Sequence, residues 1–150
     1  MTLKYDNWEF LYNSIDEVDK FLSGKDGGLW ASGQGPDNLG RQYYYKFVKQ
    51  LPSSCSILEV APGSCVDYIY LKNNNLLENK SYTGLDITKV FVEYANKKLN
   101  WLEAYHYDGD TIPYPDNHFD YSYQRHLYEH LPHYSTLLKE VFRVTKKEVF

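Results

Sequence analysis

The chain has 150 residues, with 16 Lys or Arg against 20 Asp or Glu, a formal charge of −4 and a pI near 5.7. That length gives one domain with one sizeable core, and its basic residues are too scattered to neutralise a row of phosphates, which argues against nucleic acid as a partner. A mean hydropathy of −0.60, 16 tyrosines, no apolar run of membrane-spanning length and no signal-type stretch in MTLKYDNWEF describe a cytoplasmic chain with an aromatic core and no membrane partner.

In chain order, Phe10, Ile15, Val18 and Leu22 have helical spacing, and Ser23 to Gly40 form a Gly-, Ser-, Asn- and Asp-rich loop. A helix follows to Gln50 and is stopped by Pro52. Residues 1–50 therefore read as a helical segment with a lid that carries Trp30, and 51–150 as an α/β core within the same domain. CSILEV is a short apolar strand buried on both faces. Cys65 to Leu77 are helical, SYTGLDI is a second strand, and the helix after it puts Phe91, Ala95 and Leu99 on one face. WLEAYHY is a third strand and DGDTIPYPDNH a turn-laden loop. FDYSY is a fourth strand, followed by an amphipathic helix whose stripe Tyr134, Leu137, Leu138, Val141, Phe142 is assigned to the core. KKEVF begins a fifth strand. This alternation predicts an open, mainly parallel α/β sheet, Rossmann-like, with helices on both faces. Such sheets bind ligands at the carboxyl ends of their strands.

Three of those ends carry chemistry. LEVAPGS places an acid, Glu59, before a tight turn into a helix, where backbone N–H groups can meet a nucleotide-like ligand. GLDIT ends in Asp86, an acid able to accept both hydroxyls of a ribose. DGDTIPYPDNHFD supplies further acids before the fourth strand. Together with YEHLPHYSTLLKEVFRVTK, these motifs resemble, in order over residues 57–146, the class I S-adenosylmethionine-dependent methyltransferases that act on small molecules. The resemblance implies S-adenosylmethionine as cofactor and a small-molecule methyl acceptor. It gives Glu59 the first loop and the methionine ammonium, Ala61 and Gly63 the glycine-loop positions, and Asp86 with Ile87 the ribose. Asp110 and Thr111 fall to the adenine, and Gln124 to the methionine portion and sulfonium. His130, in the family's E-H-L position, is the candidate base.

The departures from the pattern are Ala61 and Cys65 at the family's first and third glycines. Alanine fits if its φ is negative, and cysteine in a left-handed conformation costs about 1–2 kcal/mol. The family also continues through two more strands, so the resemblance implies a sheet unfinished after Phe150, with an edge open to a partner chain. That leaves a non-catalytic module as the alternative to an enzyme. HLYEH also reads as the inverted zinc-peptidase signature, with His126 and His130 at i, i+4 on one helical face. A third ligand is lacking, and no metal is assigned. The acids of 108–120 lack calcium-loop spacing, and Asp116 and Asp120 read as turn and strand-edge residues. A dinucleotide oxidoreductase lacks its G-x-G-x-x-G. Tyr43, Tyr44 and Tyr45 are assigned to packing, Arg41 to the surface with a cofactor carboxylate as the alternative, and both cysteines to the reduced state.

Overall fold

A computed structural model describes residues 13–22, 38–131 and 133–150. The expected lid with Trp30 lies outside them. Helices α1 (Ile15–Leu22) and α2 (Leu39–Gln50) precede strand β1 (Ser56–Val60). Then come α3 (Val66–Asn73), β2 (Ser81–Asp86), α4 (Lys89–Lys97), β3 (Ala104–His106), β4 (Phe119–Gln124), α5 (Tyr134–Val144) and β5 (Thr145–Val149). The five strands form one parallel sheet in the order β3-β2-β1-β4-β5, as expected of an open α/β fold.

Period-2 alternation divides the sheet into two unlike faces. Ile57, Tyr82, Tyr121 and Tyr123 pack with Tyr44, Tyr45 and Val48 of α2 and with Tyr68 and Leu71 of α3. Leu58, Val60, Leu85 and Phe119 instead meet Leu137, Val141 and Val144 of α5 and Ile112 of the β3–β4 connection. Of the tyrosine run, Tyr44 and Tyr45 are core as expected, while Tyr43 is exposed.

Two elements depart from the expected pattern. The third strand is only three residues long, because Trp101 turns inward over Gly84, where an added Cβ would lie 2.5 Å from the indole. That indole also donates from Nε1 to the Tyr82 carbonyl at 2.7 Å, so it cannot join the ladder as a strand residue. On α5 the buried set is Leu137, Val141 and Val144, at i, i+4, i+7. Tyr134 and Phe142, expected in the core, are 50% and 60% exposed at the flanks of that stripe.

Candidate functional site

The register sets Val60 between Leu85 of β2 and Gln124 of β4, so the loop after β1 emerges at the carboxyl edge of the sheet. Three alternate residues of that loop are left-handed: Ala61 at φ 58°, Gly63 at 54° and Cys65 at 62°. The condition under which alanine fits without strain, a negative φ, is therefore not met at Ala61. The chain keeps left-handed turns at each position where the family places glycine, at about 1–2 kcal/mol for each of the two non-glycine residues. Ties to β2 offset that strain. Ala61 N–H donates to Leu85 O at 2.7 Å, and Gly63 N–H donates to Asp86 Oδ2 at 2.9 Å. Cys65 is fully buried, its thiol 3.4 Å from Gly63 O. Both cysteines are free thiols.

Asp86 is buried, and that burial pushes its carboxyl up to about 6, although N–H donors from Thr88 and Gly63 pull the other way. Its second oxygen, Oδ1, accepts from Thr88 N–H at 2.8 Å. Each carboxylate oxygen offers two lone pairs, so each can accept a further hydrogen bond besides these. Ile87 is half-buried, and its carbonyl faces His106 Nε2 at 3.1 Å.

The acidic loop is shaped by two devices. Asp108 Oδ1 accepts the N–H groups of Asp110 and Thr111, at 2.9 and 3.0 Å, and so holds half-buried Asp110 in a turn beyond β3. Thr111 is exposed. Arg143 of α5 donates to the carbonyls of Ile112 and Tyr114 and to Asp116, at 2.8 to 2.9 Å. Glu140 grips the same guanidinium and accepts Ile112 N–H at 3.0 Å. The E-x-x-R of this helix is thus a clamp on the loop that carries Asp110. The i, i+3 spacing was the sequence signal for it. Asp116 and Asp120 take the expected structural places; Asp120 accepts Ser56 N–H and pairs with Lys147.

Gln124 ends β4 and donates from Nε2 to Phe150 O at 3.3 Å. Four buried polar atoms among the described residues meet no hydrogen-bond partner: Thr88 Oγ1, Gln124 Oε1, Arg125 Nη1 and Tyr128 OH. All follow or end β2 or β4. The Thr88 hydroxyl does help hold the Asp86 carboxyl down without reaching hydrogen-bond geometry. Orphaned buried groups are rare in native structures, and here they gather where an open α/β sheet takes its ligand.

The HLYEH segment is not the helix that a zinc pair needs. His126 is left-handed at φ 50°, and only Tyr128–His130 form a short 3-10 turn. The two histidines therefore do not share a helical face, and His126 Nδ1 contacts Glu129 at 2.6 Å. No cluster of three or more metal-type ligands occurs among the described residues. His130 is half-buried at the end of the turn.

Beneath the loop lies a polar cluster. Glu59 is only 3% exposed and accepts from Tyr82 OH at 2.9 Å, and Tyr82 OH lies 2.9 Å from Tyr44 OH. Burial pushes the Glu59 carboxyl well above the usual range, with nearby Asp67 adding to the shift. Asp67, in the first turn of α3, accepts from Tyr45 at 2.8 Å and Tyr123 at 3.4 Å and pairs with Arg41. Arg41 is therefore a largely sealed ion-pair partner, not a surface residue.

A loop of left-handed turns tied to a strand-end acid, on a parallel sheet with order 3-2-1-4-5, defines a nucleotide-type cofactor site. The sequence model of a family described as "Methyltransferase domain" matches residues 58–150. A demethylmenaquinone methyltransferase of Bacillus licheniformis is 26% identical over 142 residues, 93% of this chain and 56% of the relative. A ubiquinone/menaquinone biosynthesis C-methyltransferase of Rickettsia bellii is 32% identical over 72% of this chain and 47% of the relative. Among solved structures, a SAM-dependent methyltransferase from Aquifex aeolicus superposes with a TM-score of 0.58 at 24% identity, covering 70% of this chain and 57% of that one. The chain belongs to the class I S-adenosylmethionine-dependent methyltransferase family. It spans about half the length of these relatives. No helix among the described residues is long and apolar enough to cross a membrane.

Proposed function

We propose that the protein is a cytoplasmic methyltransferase that moves a methyl group from S-adenosylmethionine to a small-molecule acceptor. The observation that carries this is the bond from Gly63 N–H to Asp86, which locks the left-handed loop to the ribose-binding acid at the carboxyl edge of β1 and β2. The relatives' names favour a quinone-type ring carbon as acceptor. Bound S-adenosylmethionine supplies a methyl on a sulfonium. Asp86 and Ile87 hold the ribose, Asp110 and Thr111 border the adenine, and Ala61 and Gly63 present the loop backbone. Gln124 is assigned to the methionine portion, a role supported by its buried Oε1, which has no hydrogen-bond partner among the described residues. Glu59, at the end of β1 and bonded to Tyr82 OH, organises the start of the loop from below. The chain's main contribution is proximity and alignment for an in-line displacement, and His130 takes the acceptor's proton as the new bond forms.

Calorimetric titration of the full chain with S-adenosylmethionine and S-adenosylhomocysteine tests the reading; no heat at millimolar ligand sinks it. Asp86→Ala should weaken binding roughly ten- to a hundredfold, the worth of charge-assisted hydrogen bonds. The ionised carboxylate is the acceptor form, so affinity should rise as pH climbs through about 6, and this dependence should be absent in Asp86→Asn. The competing reading is a non-catalytic module that pairs with a partner chain along β5, whose outer side has no strand beside it among the described residues. Cofactor binding without turnover in an acceptor screen that includes a demethylated naphthoquinol would favour it.

A further inference from the structure

Arg125 follows Gln124 directly and is not accounted for by any family motif in this chain. Its Nη2 donates to Asn38 Oδ1 at 2.8 Å, at the N-cap of α2, while Nη1 is buried and meets no acceptor. A guanidinium offers five donors in a fixed fork that matches a carboxylate, and leaving one sealed and unpaired is costly. Among the described residues, the surrounding charges explain why no acceptor answers it. The nearby carboxylate, Asp67, is already committed to Arg41, Tyr45 and Tyr123. Arg41 adds a second positive charge, which with burial holds the Arg125 guanidinium below its ordinary value. Glu59 is kept toward its neutral form by burial. The Arg41 and Arg125 guanidiniums thus lie near the same carboxylate, Asp67, beside the ligand edge. The first turn of α2 carries no acid to correct the balance.

We propose that Arg125 anchors a carboxylate of the bound ligands through Nη1, with Asn38 holding the other arm of the fork in place. This rests on the S-adenosylmethionine reading. It deepens that reading by giving the site a built anion subsite beyond β4. The carboxylate belongs either to the methionine portion of the cofactor or to the methyl acceptor.

The experiment compares wild type, Arg125→Gln and Arg125→Lys as full chains. Each is titrated with S-adenosylhomocysteine and with 5′-methylthioadenosine, which lacks the amino-acid portion. Each is then saturated with S-adenosylhomocysteine and titrated with benzoate and benzamide. If Arg125→Gln loses about tenfold or more for S-adenosylhomocysteine, holds 5′-methylthioadenosine unchanged and is partly rescued in Arg125→Lys, the carboxylate is the cofactor's. If S-adenosylhomocysteine is unaffected but a wild-type preference for benzoate over benzamide disappears, the carboxylate is the acceptor's. Equal losses for both nucleosides would mean a merely structural arginine and overturn the proposal, as would no change in either arm. Failure of wild type to bind S-adenosylhomocysteine at all would instead refute the cofactor reading beneath it.

Discussion

The sheet face under α2 and α3 is built from rings, with Tyr44 stacked on Tyr123 at 3.5 Å and Tyr68 on Trp101 at 4.1 Å. The face under α5 is built mainly from Leu, Val, Ile and Phe side chains, with Tyr107 among them. Among the described residues, buried carboxylates lie only on the first, because tyrosine hydroxyls can satisfy them where methyl groups cannot. The aliphatic face owes its stability to volume and area. The aromatic face adds a set of paired charges directly beneath the ligand loop, and with them a sensitivity to single-atom changes and to pH.

Asp67→Ala should be the most damaging change, about 3–5 kcal/mol, because it removes the carboxylate that pairs with Arg41 and accepts from two tyrosine hydroxyls. A urea midpoint that moves by less than about a third of this would mean that the cluster is solvated and that the two faces differ little. Leu137→Ala on the opposite face should cost about 2–5 kcal/mol through a cavity, by the same amount at pH 5 and pH 8. A pH-dependent loss there would blur the distinction.

Glu59→Gln sharpens it by pH alone. The Glu59 carboxyl is raised above its ordinary value of 4.5. Its stabilising contribution is therefore complete below that value and is lost as pH rises through the elevated one. Unfolding free energies measured across this range should fall for wild type relative to Glu59→Gln as pH climbs; parallel curves would refute the shift. The smallest effect is expected for Ala61→Gly. Release of the left-handed strain is worth about 1–2 kcal/mol and is partly offset by about 0.4–1 kcal/mol of unfolded-chain entropy. A small rise in thermal midpoint supports that balance, and a drop would show that the Ala61 methyl packs.

The sheet and its helices were legible in the sequence because β1, β2 and β4 are short apolar runs between turn signals, and α4 has an unambiguous period. Three features were not legible, for physical reasons. The α5 stripe looked wider than it is, since exposed Tyr134 and Phe142 continue the same apolar pattern. The HLYEH pair fails on one dihedral, the left-handed His126, which spacing alone does not reveal. The Arg41–Asp67 pair joins residues 26 apart, and an acid in a helix's first turn ordinarily reads as a dipole partner. Of the candidate site, the strand-end acids were readable from their motifs. The orphaned Arg125 depends on folded geometry, and of the Arg143–Glu140 clamp only the i, i+3 pair, not its grip on the loop, shows in the sequence.

Trp101 gives the molecule an optical consequence. Its indole is shielded from water, stacked on Tyr68 and bonded to the backbone of β2, four residues before Asp86 in the same strand. With Trp8 and Trp30 replaced by phenylalanine, its emission should lie to the blue and shift red only when β2 separates from its neighbours. The strand that ends in Asp86 thus has a fluorophore bonded to its backbone, and loosening of the sheet there can be followed without a label.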